Sequence, residues 1–392
     1  MKRIYLDYAA STPVNISVLK TMELYFVNKF GNPNSIHYFG QEALKGVEWA
    51  KEKIAQAINA NSQQILFTSG ATEANNWALM GPLKKFISNY PSLKIKPKII
   101  ISAFEHESIL ETANELKKNN NIQVEILKIH KNGFVDLAHL KSLLDENTIL
   151  VSVMYANNEI GSIQPIKKIA QLIKDFKESK KSLKEYPLFH TDAVQALQFL
   201  NCNVGELEVD LMSLSAQKIY GPKGVGCLYV KDINLISPII FGGLSENELR
   251  GGTINSPAIV GFGKAVELVL KNQKSETERL KKLRDYLFKN IKKIYPAAQL
   301  NGIFENRLPN NLNIYFPDWC ANDLLVKLDL EGLSVSAGSA CTARIAQPSH
   351  VILALGYSKD RASSSLRITL GRPTTPREIS ESIKIFKSVL NS

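Results

Sequence analysis

Five residues stand out for the chemistry their types and surroundings could carry: four near turns or small-residue stretches and one, Arg367, within a strand. Lys218 follows Val209-Asp-Leu-Met-Ser-Leu-Ser-Ala-Gln and precedes Gly221-Pro222 and a glycine-rich return into Gly226-Cys-Leu-Tyr-Val. A lysine held at a strand end loses hydration, which lowers its pKa and makes it a nucleophile able to form a Schiff base with an aldehyde. Asp192 lies near the end of Pro187-Leu-Phe-His-Thr-Asp, with Gln195 three residues on. A carboxylate there can keep a pyridinium nitrogen protonated, or it can cap a helix. His106 comes just after Lys98-Ile-Ile-Ile-Ser-Ala, at the strand end where α/β proteins keep their ligands. Cys341 stands among small residues in Val335-Ser-Ala-Gly-Ser-Ala-Cys-Thr-Ala-Arg344. Such a stretch packs poorly and exposes the thiol, and the nearby arginine favours thiolate. Arg367, in Ser365-Leu-Arg-Ile, offers a planar fork to a substrate carboxylate or to an internal acid.

Three polar turns accompany them. Gln64-Ile-Leu-Phe-Thr runs into Ser69-Gly-Ala71-Thr72-Glu-Ala-Asn-Asn76. Strand, glycine turn and helix start present free backbone N–H groups to a phosphate, and Thr72 adds a hydroxyl. A plain capping turn has the same look. The stretch matches neither Walker A nor GxGxxG, which argues against ATP and NAD. Asn157-Asn158 follows Ile149-Leu-Val-Ser-Val-Met and offers uncharged hydrogen bonds to a polar ring or carboxylate. Gly31-Asn-Pro-Asn-Ser35 is either a backbone approach to a ligand or a connector between helices.

The elements that must position these groups follow from periodicity. Strands alternate with helices from about residue 60 to 230, which predicts an α/β fold with a mostly parallel sheet under helical covers. Amphipathic helices are expected over residues 18–30, with Pro13 suiting the start, and over residues 39–60. A long helix spans about Ser256–Tyr295. Beyond it, strands at Asn310–Phe316 and Leu366–Leu370 with helices between them predict a smaller α+β domain. The division expected is 14–262 for the large domain, and 1–13 with 263–392 for the small one.

At 392 residues, with 44% hydrophobic and 22% charged content, the chain suits a two-domain globular protein. The charged start, Met1-Lys-Arg, is no signal peptide, and no stretch is apolar enough to span a membrane, so a cytoplasmic location is expected. The net charge of +11 comes from lysines spread among acids along helical segments, without arginine–aromatic interleaving. That pattern is a solvated surface, and no stable nucleic-acid binding is expected. Four cysteines lie far apart with no zinc-like spacing, so no metal site is expected. Cys202 and Cys227 read as packing residues.

Taken together and in order, the segments Tyr5-Leu-Asp-Tyr-Ala-Ala-Ser-Thr-Pro, Gly31-Asn-Pro-Asn-Ser, Phe67-Thr-Ser-Gly-Ala-Thr-Glu-Ala-Asn-Asn, Asn157-Asn-Glu-Ile-Gly, Lys218-Ile-Tyr-Gly-Pro-Lys-Gly, Arg250-Gly-Gly-Thr and Gly338-Ser-Ala-Cys-Thr resemble the cysteine desulfurases of the NifS/IscS type. These belong to the class V branch of the fold-type I pyridoxal-phosphate-dependent transferases. The resemblance spans essentially the whole chain.

It implies pyridoxal 5'-phosphate as cofactor and removal of sulfur from L-cysteine, giving L-alanine. Lys218 is then the Schiff-base lysine and proton shuttle, Asp192 the partner of the pyridinium nitrogen, and His106 the residue stacked on the ring with acid–base work. Ala71, Thr72 and Ser215 fall at phosphate-cradle positions; Gln195, Gln217 and Asn158 fall at cofactor-contacting positions. Asn158 also lies near the substrate, and Arg367 matches the arginine that holds its carboxylate. Thr253 matches a phosphate ligand contributed by the other subunit, which implies a homodimer. Cys341 matches the nucleophile that takes the sulfur as a persulfide. A sulfur-acceptor protein such as an iron–sulfur scaffold, or a tRNA-thiolation acceptor, is the implied partner. Two positions depart from the family pattern: Gln217 stands where histidine is usual, and Ala337 where serine is common. A selenocysteine lyase and the serine-linked class V aminotransferases are the neighbouring activities, and the latter make no demand for Cys341. A reading from a different class, a basic sulfur-complex platform with weak catalysis, is opposed by intact Lys218, Asp192 and Cys341.

Overall fold

The computed structural model describes residues 3–92, 95–119, 121–180, 183–243, 249–338 and 348–391. In chain order its first elements are β1 (Ile4–Tyr5), α1 (Ile16–Val27), α2 (Tyr38–Ile58), β2 (Ile65–Thr68), α3 (Ala71–Asn89), β3 (Lys98–Ser102), α4 (Glu107–Lys117) and β4 (Gln123–Leu127). Then come α5 (Leu137–Leu143), β5 (Thr148–Ser152), α6 (Ile166–Ser179), β6 (Leu188–Asp192), α7 (Val204–Leu207), β7 (Leu211–Ser215) and β8 (Gly226–Val230). The 39-residue α8 (Ser256–Ile294) follows. The rest is β9 (Gln299–Leu300), β10 (Asn311–Tyr315), α9 (Ala321–Leu330), β11 (Leu333–Ser334), α10 (His350–Ala354), α11 (Lys359–Ser363), β12 (Ser365–Thr369) and α12 (Pro376–Leu390).

Seven strands form the central sheet in the order β2-β8-β7-β6-β5-β3-β4. The pairs among β7, β6, β5, β3 and β4 are parallel; β8 runs antiparallel to both its neighbours. Strand side chains alternate between faces, and here both faces are apolar. Leu66, Ile99, Ile101, Leu188 and Leu228 pack with Trp77 and Phe86 of α3. Phe67, Ile100, Val151, Phe189 and Met212 pack in the other cluster with residues of α2, α6 and α8. Burial on both sides is why these strands read as near-continuous apolar runs.

Two small sheets complete the chain. One is antiparallel, β12-β10-β9, and the other pairs β1 in parallel with β11. Asp7 bridges to Thr369 of β12, so the start of the chain joins its last hundred residues. Among the described residues no helix is long and apolar enough to cross a membrane.

Helix α1 departs from expectation at both ends. It begins at Ile16 rather than at Pro13, with the Asn15 side chain accepting from Ser17 N–H. The residues before it are held elsewhere. Thr12 Oγ1 donates to Gln217 O (2.7 Å) and accepts from Tyr220 N–H (2.9 Å), while Asn15 N–H donates to Tyr220 O. The segment 7–15 is therefore strapped across the lysine turn and is not free to coil. At the far end the helix stops at Val27 rather than Phe30, just before the Gly31-Asn-Pro turn.

Candidate active site

The C-terminal ends of β2, β3, β6 and β7 open onto one cavity of about 320 Å³. Lys218 ends a single 3₁₀ turn (Ala216–Lys218) directly after β7. The turn is tight: Gly221 N–H returns to Ala216 O, and Tyr220 takes a left-handed φ of 67°. Lys218 Nζ donates to Ala9 O (2.9 Å) and Ala10 O (2.6 Å), and Gln195 Nε2 donates to the same Ala9 O (3.1 Å). The strapped N-terminal segment thus aims the amine into the cavity.

Asp192 is the last residue of β6 and is nearly buried. Its Oδ1 accepts from Val194 N–H (2.9 Å) and its Oδ2 from Asn75 Nδ2 (2.8 Å). Those two bonds orient the carboxylate. His106 caps α4, its Nδ1 accepting from Ser108 N–H (3.1 Å). Burial lowers the His106 pKa; the Asp192 charge opposes that shift and the Lys218 charge adds to it. Burial therefore favours the neutral imidazole.

The phosphate-like end lies at the start of α3. Gly70 precedes this 19-residue helix with no side-chain cap, so the first backbone N–H groups point outward with the positive end of the helix dipole. Gly70 has φ 153°, a conformation side-chain-bearing residues rarely adopt. A Cβ on Gly226 would come within 2.9 Å of the Gly70 carbonyl carbon, so both glycines are needed for this turn to sit against β8. Glu73 fixes the turn from outside: it accepts from Ser69 N–H (2.7 Å) and from two nitrogens of Arg250 (3.0 and 3.2 Å). Burial works against its charge, yet the bonds from Arg250 and Ser69 hold its carboxyl below the ordinary range.

Ala71, Thr72, His106, Asn158, Asp192, Gln195, Ser215, Gln217, Lys218 and Arg367 all line this cavity. Arg367, on β12, is buried; its Nη2 pairs with Asp7 Oδ1 (2.8 Å) and its Nη1 lies 3.5 Å from Asn158 O. The internal acid is thus present, and Arg367 faces the cavity as well. Thr253 lies in a second cavity that shares Ser69 and Gly224 with the first. Cys341 lies outside the described residues. Cys202 and Cys227 are buried, and burial pushes the Cys202 thiol up to about 12, so neither is a nucleophile. Among the described residues no cluster of histidine, cysteine and acid could hold a metal ion.

The donor set fits pyridoxal 5'-phosphate. An amine, a carboxylate oriented for a ring nitrogen, an imidazole and an uncapped helix start surround one cavity, and Gly70, which lines it, has no atom within 4 Å of where a Cβ would sit.

Sequence reasoning missed Asn75, Ser108, Glu73 and Glu105. Asn75 and Glu73 sat unremarked within the Ser69–Asn76 turn, and Ser108 two residues past His106. Glu105 is wholly buried; its Oε1 accepts from Ser102 Oγ and from Met154 N–H, while its Oε2 has no partner. Burial pushes this carboxyl up to about 8, against the pull of the Ser102 and Met154 bonds and with a push from Asp192. An acid whose folded pKa is raised gives stability that is full below its unfolded pKa and lost as pH rises through the folded one. That window runs from 4.5 to about 8. Glu105→Gln copies the neutral form. It is expected to unfold a few degrees hotter than wild type above about pH 8 and no hotter near pH 5. Thermal melts across pH check this; equal melts at all pH values would show that Glu105 is ionised in the fold.

The architecture and this pocket define a fold-type I pyridoxal-phosphate enzyme. The Aminotransferase class-V family matches residues 4–381. The cysteine desulfurase IscS of Dictyoglomus turgidum is 44% identical to this chain over 100% of it and 95% of that protein. A solved NifS-like protein has a TM-score of 0.90 at 34% identity, with 99% of each chain covered. SspA, solved in complex with cysteine, has a TM-score of 0.78 at 33% identity over 93% of this chain and 98% of that one. The chain belongs to the class-V aminotransferase family, and within it to the pyridoxal-phosphate-dependent cysteine desulfurases of the NifS/IscS type.

Proposed function

We propose that the chain takes sulfur from L-cysteine onto Cys341, releases L-alanine, and passes the sulfur to an acceptor protein. The observation that carries this reading is the convergence of Lys218, Asp192, His106, Arg367 and the uncapped α3 start on one cavity. Bound pyridoxal 5'-phosphate supplies an electron sink that weakens the Cα–H and C–S bonds of the amino acid. Lys218 is the residue that would hold this group covalently, and its amine, aimed into the cavity, would be the group that takes and returns the α-proton. Asp192 would keep the ring nitrogen protonated. The α3 start with Ala71, Thr72 and Ser215 would hold the phosphate, and Gln195 and Gln217 would contact the ring.

Arg367 and Asn158 hold the substrate carboxylate. The Cys341 thiolate attacks the substrate sulfur. The C–S bond breaks, its electron pair is protonated at carbon to give alanine, and Cys341 keeps the sulfur as a persulfide. His106, whose neutral form burial favours, faces the same cavity and carries its acid–base work there through the ring N–H. Gly338 and Ser349, on either side of the Cys341 segment, both come close to Glu159: Ser349 Oγ donates to Glu159 Oε2 at 2.5 Å, and a Cβ on Gly338 would lie 3.7 Å from the same oxygen. Glu159 follows the cavity residue Asn158, so Gly338 and Ser349 both stand near that side of the cavity.

Arg367→Lys keeps the charge but loses the fork. It is expected to raise KM for L-cysteine about 10-fold or more while kcat changes less. Steady-state alanine formation checks this; an unchanged KM would assign Arg367 to Asp7 alone.

A homodimer completes the reading. Ile16, Phe26, Val27, Phe30, Ile36 and Tyr38 are each exposed by 63% or more, and a patch of this kind needs a cover. Thr253 would then meet the phosphate of the partner's site. The division into 14–262 and 1–13 with 263–392 is supported by the pairing of β1 with β11 and of Asp7 with Thr369. A cytoplasmic setting and an acceptor of the iron–sulfur scaffold or tRNA-thiolation kind complete the proposal. The test is purified protein with L-cysteine and a reductant, assayed for alanine and sulfide. Both products in equal amounts support it; cofactor binding without alanine would point to another class V substrate.

A further inference from the structure

The mechanism above uses Asp192 and His106 as separate groups, but one buried side chain joins them. Asn75 lies inside α3 and is wholly buried. Its Nδ2 donates one proton to Asp192 Oδ2 (2.8 Å) and the other to Ser108 Oγ (2.8 Å). Ser108 Oγ is 2.9 Å from His106 Nδ1. Turning the amide over would set Asn75 Oδ1 against the Asp192 carboxylate, oxygen to oxygen, so its orientation is fixed. Ser108 Oγ already accepts from Asn75, so its own proton is directed to His106 Nδ1. That nitrogen then accepts from both the Ser108 hydroxyl and the Ser108 N–H.

We infer that Asn75 is a positioning residue for this site, and that through Ser108 it holds His106 as the neutral Nε2–H tautomer while it orients Asp192. The inference rests on the reading of Asp192 and His106 given above. Two donors on the Nδ1 lone pair disfavour protonation there, because a proton on that nitrogen would have to displace them. The proton of the neutral ring is left on Nε2, the nitrogen remote from this network. The lowered His106 pKa agrees with the arrangement. The other charged or titratable groups acting on the ring are Asp192 after β6, Lys218 after β7, Glu107 on α4 and His350 on α10. Of these, only Asp192 is bonded by Asn75; the change at Ser108 leaves all four in place and so isolates the effect on the His106 tautomer. The tie also links the partner of the ring nitrogen to the acid–base residue, so a shift of Asp192 is felt at His106.

The experiment uses the full chain in two forms. Protein labelled with ¹⁵N-histidine is titrated by NMR without cofactor, and His106 is assigned by its absence in His106→Gln. Wild type is expected to show Nε2–H with Nδ1 unprotonated. Asn75→Leu and Ser108→Ala are both expected to show mixed tautomers and a His106 pKa raised by roughly half a unit to one unit. In the loaded enzyme the acid limb of kcat/KM moves the same way, and kcat falls about 10-fold with KM within about 3-fold. Asn75→Ser, smaller and polar, gives the same readout if the leucine variant does not fold. An Nδ1–H tautomer in wild type, or variants whose tautomer and pKa match wild type, would overturn the inference. Failure of wild type to form alanine would instead sink the reading of the site and leave the tautomer result standing.

Discussion

Lys218→Ala is expected to lower alanine formation from L-cysteine by more than about 1,000-fold and to leave a protein that releases its cofactor on gel filtration. The reason is local. Lys218 stands at the end of β7 on a turn held by Gly221 and a left-handed Tyr220, and the Ala9 and Ala10 carbonyls direct its amine into the cavity. Among the described residues no other lysine lines that cavity. The fold should survive, because the side chain is only partly buried and its neighbours are backbone carbonyls. Cofactor absorbance before and after filtration, together with alanine yield, checks the prediction. A variant that keeps covalent cofactor would mean that another amine forms the link.

Cys341→Ser is expected to do the opposite to binding. The variant should hold its cofactor as tightly as wild type, yet lose alanine and sulfide formation by roughly 100-fold or more, because a serine hydroxyl is not ionised at neutral pH and does not accept sulfur. The described neighbours predict this separation of effects. Asp192 makes its contacts within the central sheet and at the α3 helix and Lys218 is held by the Ala9 and Ala10 carbonyls, whereas Gly338 and Ser349, the described residues on either side of Cys341, lie beside Glu159. Cofactor spectra and product assays on one preparation suffice. Full alanine formation by Cys341→Ser would mean that sulfur leaves without a protein thiol.

Much of this site can be read from residue types at strand ends. Lys218, Asp192 and His106 each lie at or just past the end of an apolar run, and the parallel sheet sets β7 beside β6, with β3 on the far side of β5, so that their C-terminal ends share one edge. The alternation of strands and helices gives the parallel core, although β8 runs against it. The order of strands is invisible in the pattern, because both faces of every central strand are apolar. What holds the catalytic groups in place is less legible. The acceptors for Lys218 are the backbone carbonyls of Ala9 and Ala10, and a carbonyl leaves no trace in residue type. Asn75 looks like part of a capping turn until α3 is seen to lie over the sheet, with that side chain reaching Asp192 and Ser108. Pro13 looks like a helix start, but Thr12 and Asn15 are drawn into the lysine turn and delay the helix to Ile16. Glu105 carries no signal in the sequence beyond its place beside His106, yet it is wholly buried and accepts Met154 N–H from the neighbouring strand's exit.

The most direct test is a single turnover of wild-type protein with L-cysteine and no reductant, quenched and split for alanine analysis and peptide mapping. The account predicts one alanine per chain and one added sulfur atom on the peptide that carries Cys341, removable by a thiol. Alanine formed with no sulfur on that peptide, or a cofactor-loaded protein that forms no alanine, would contradict it.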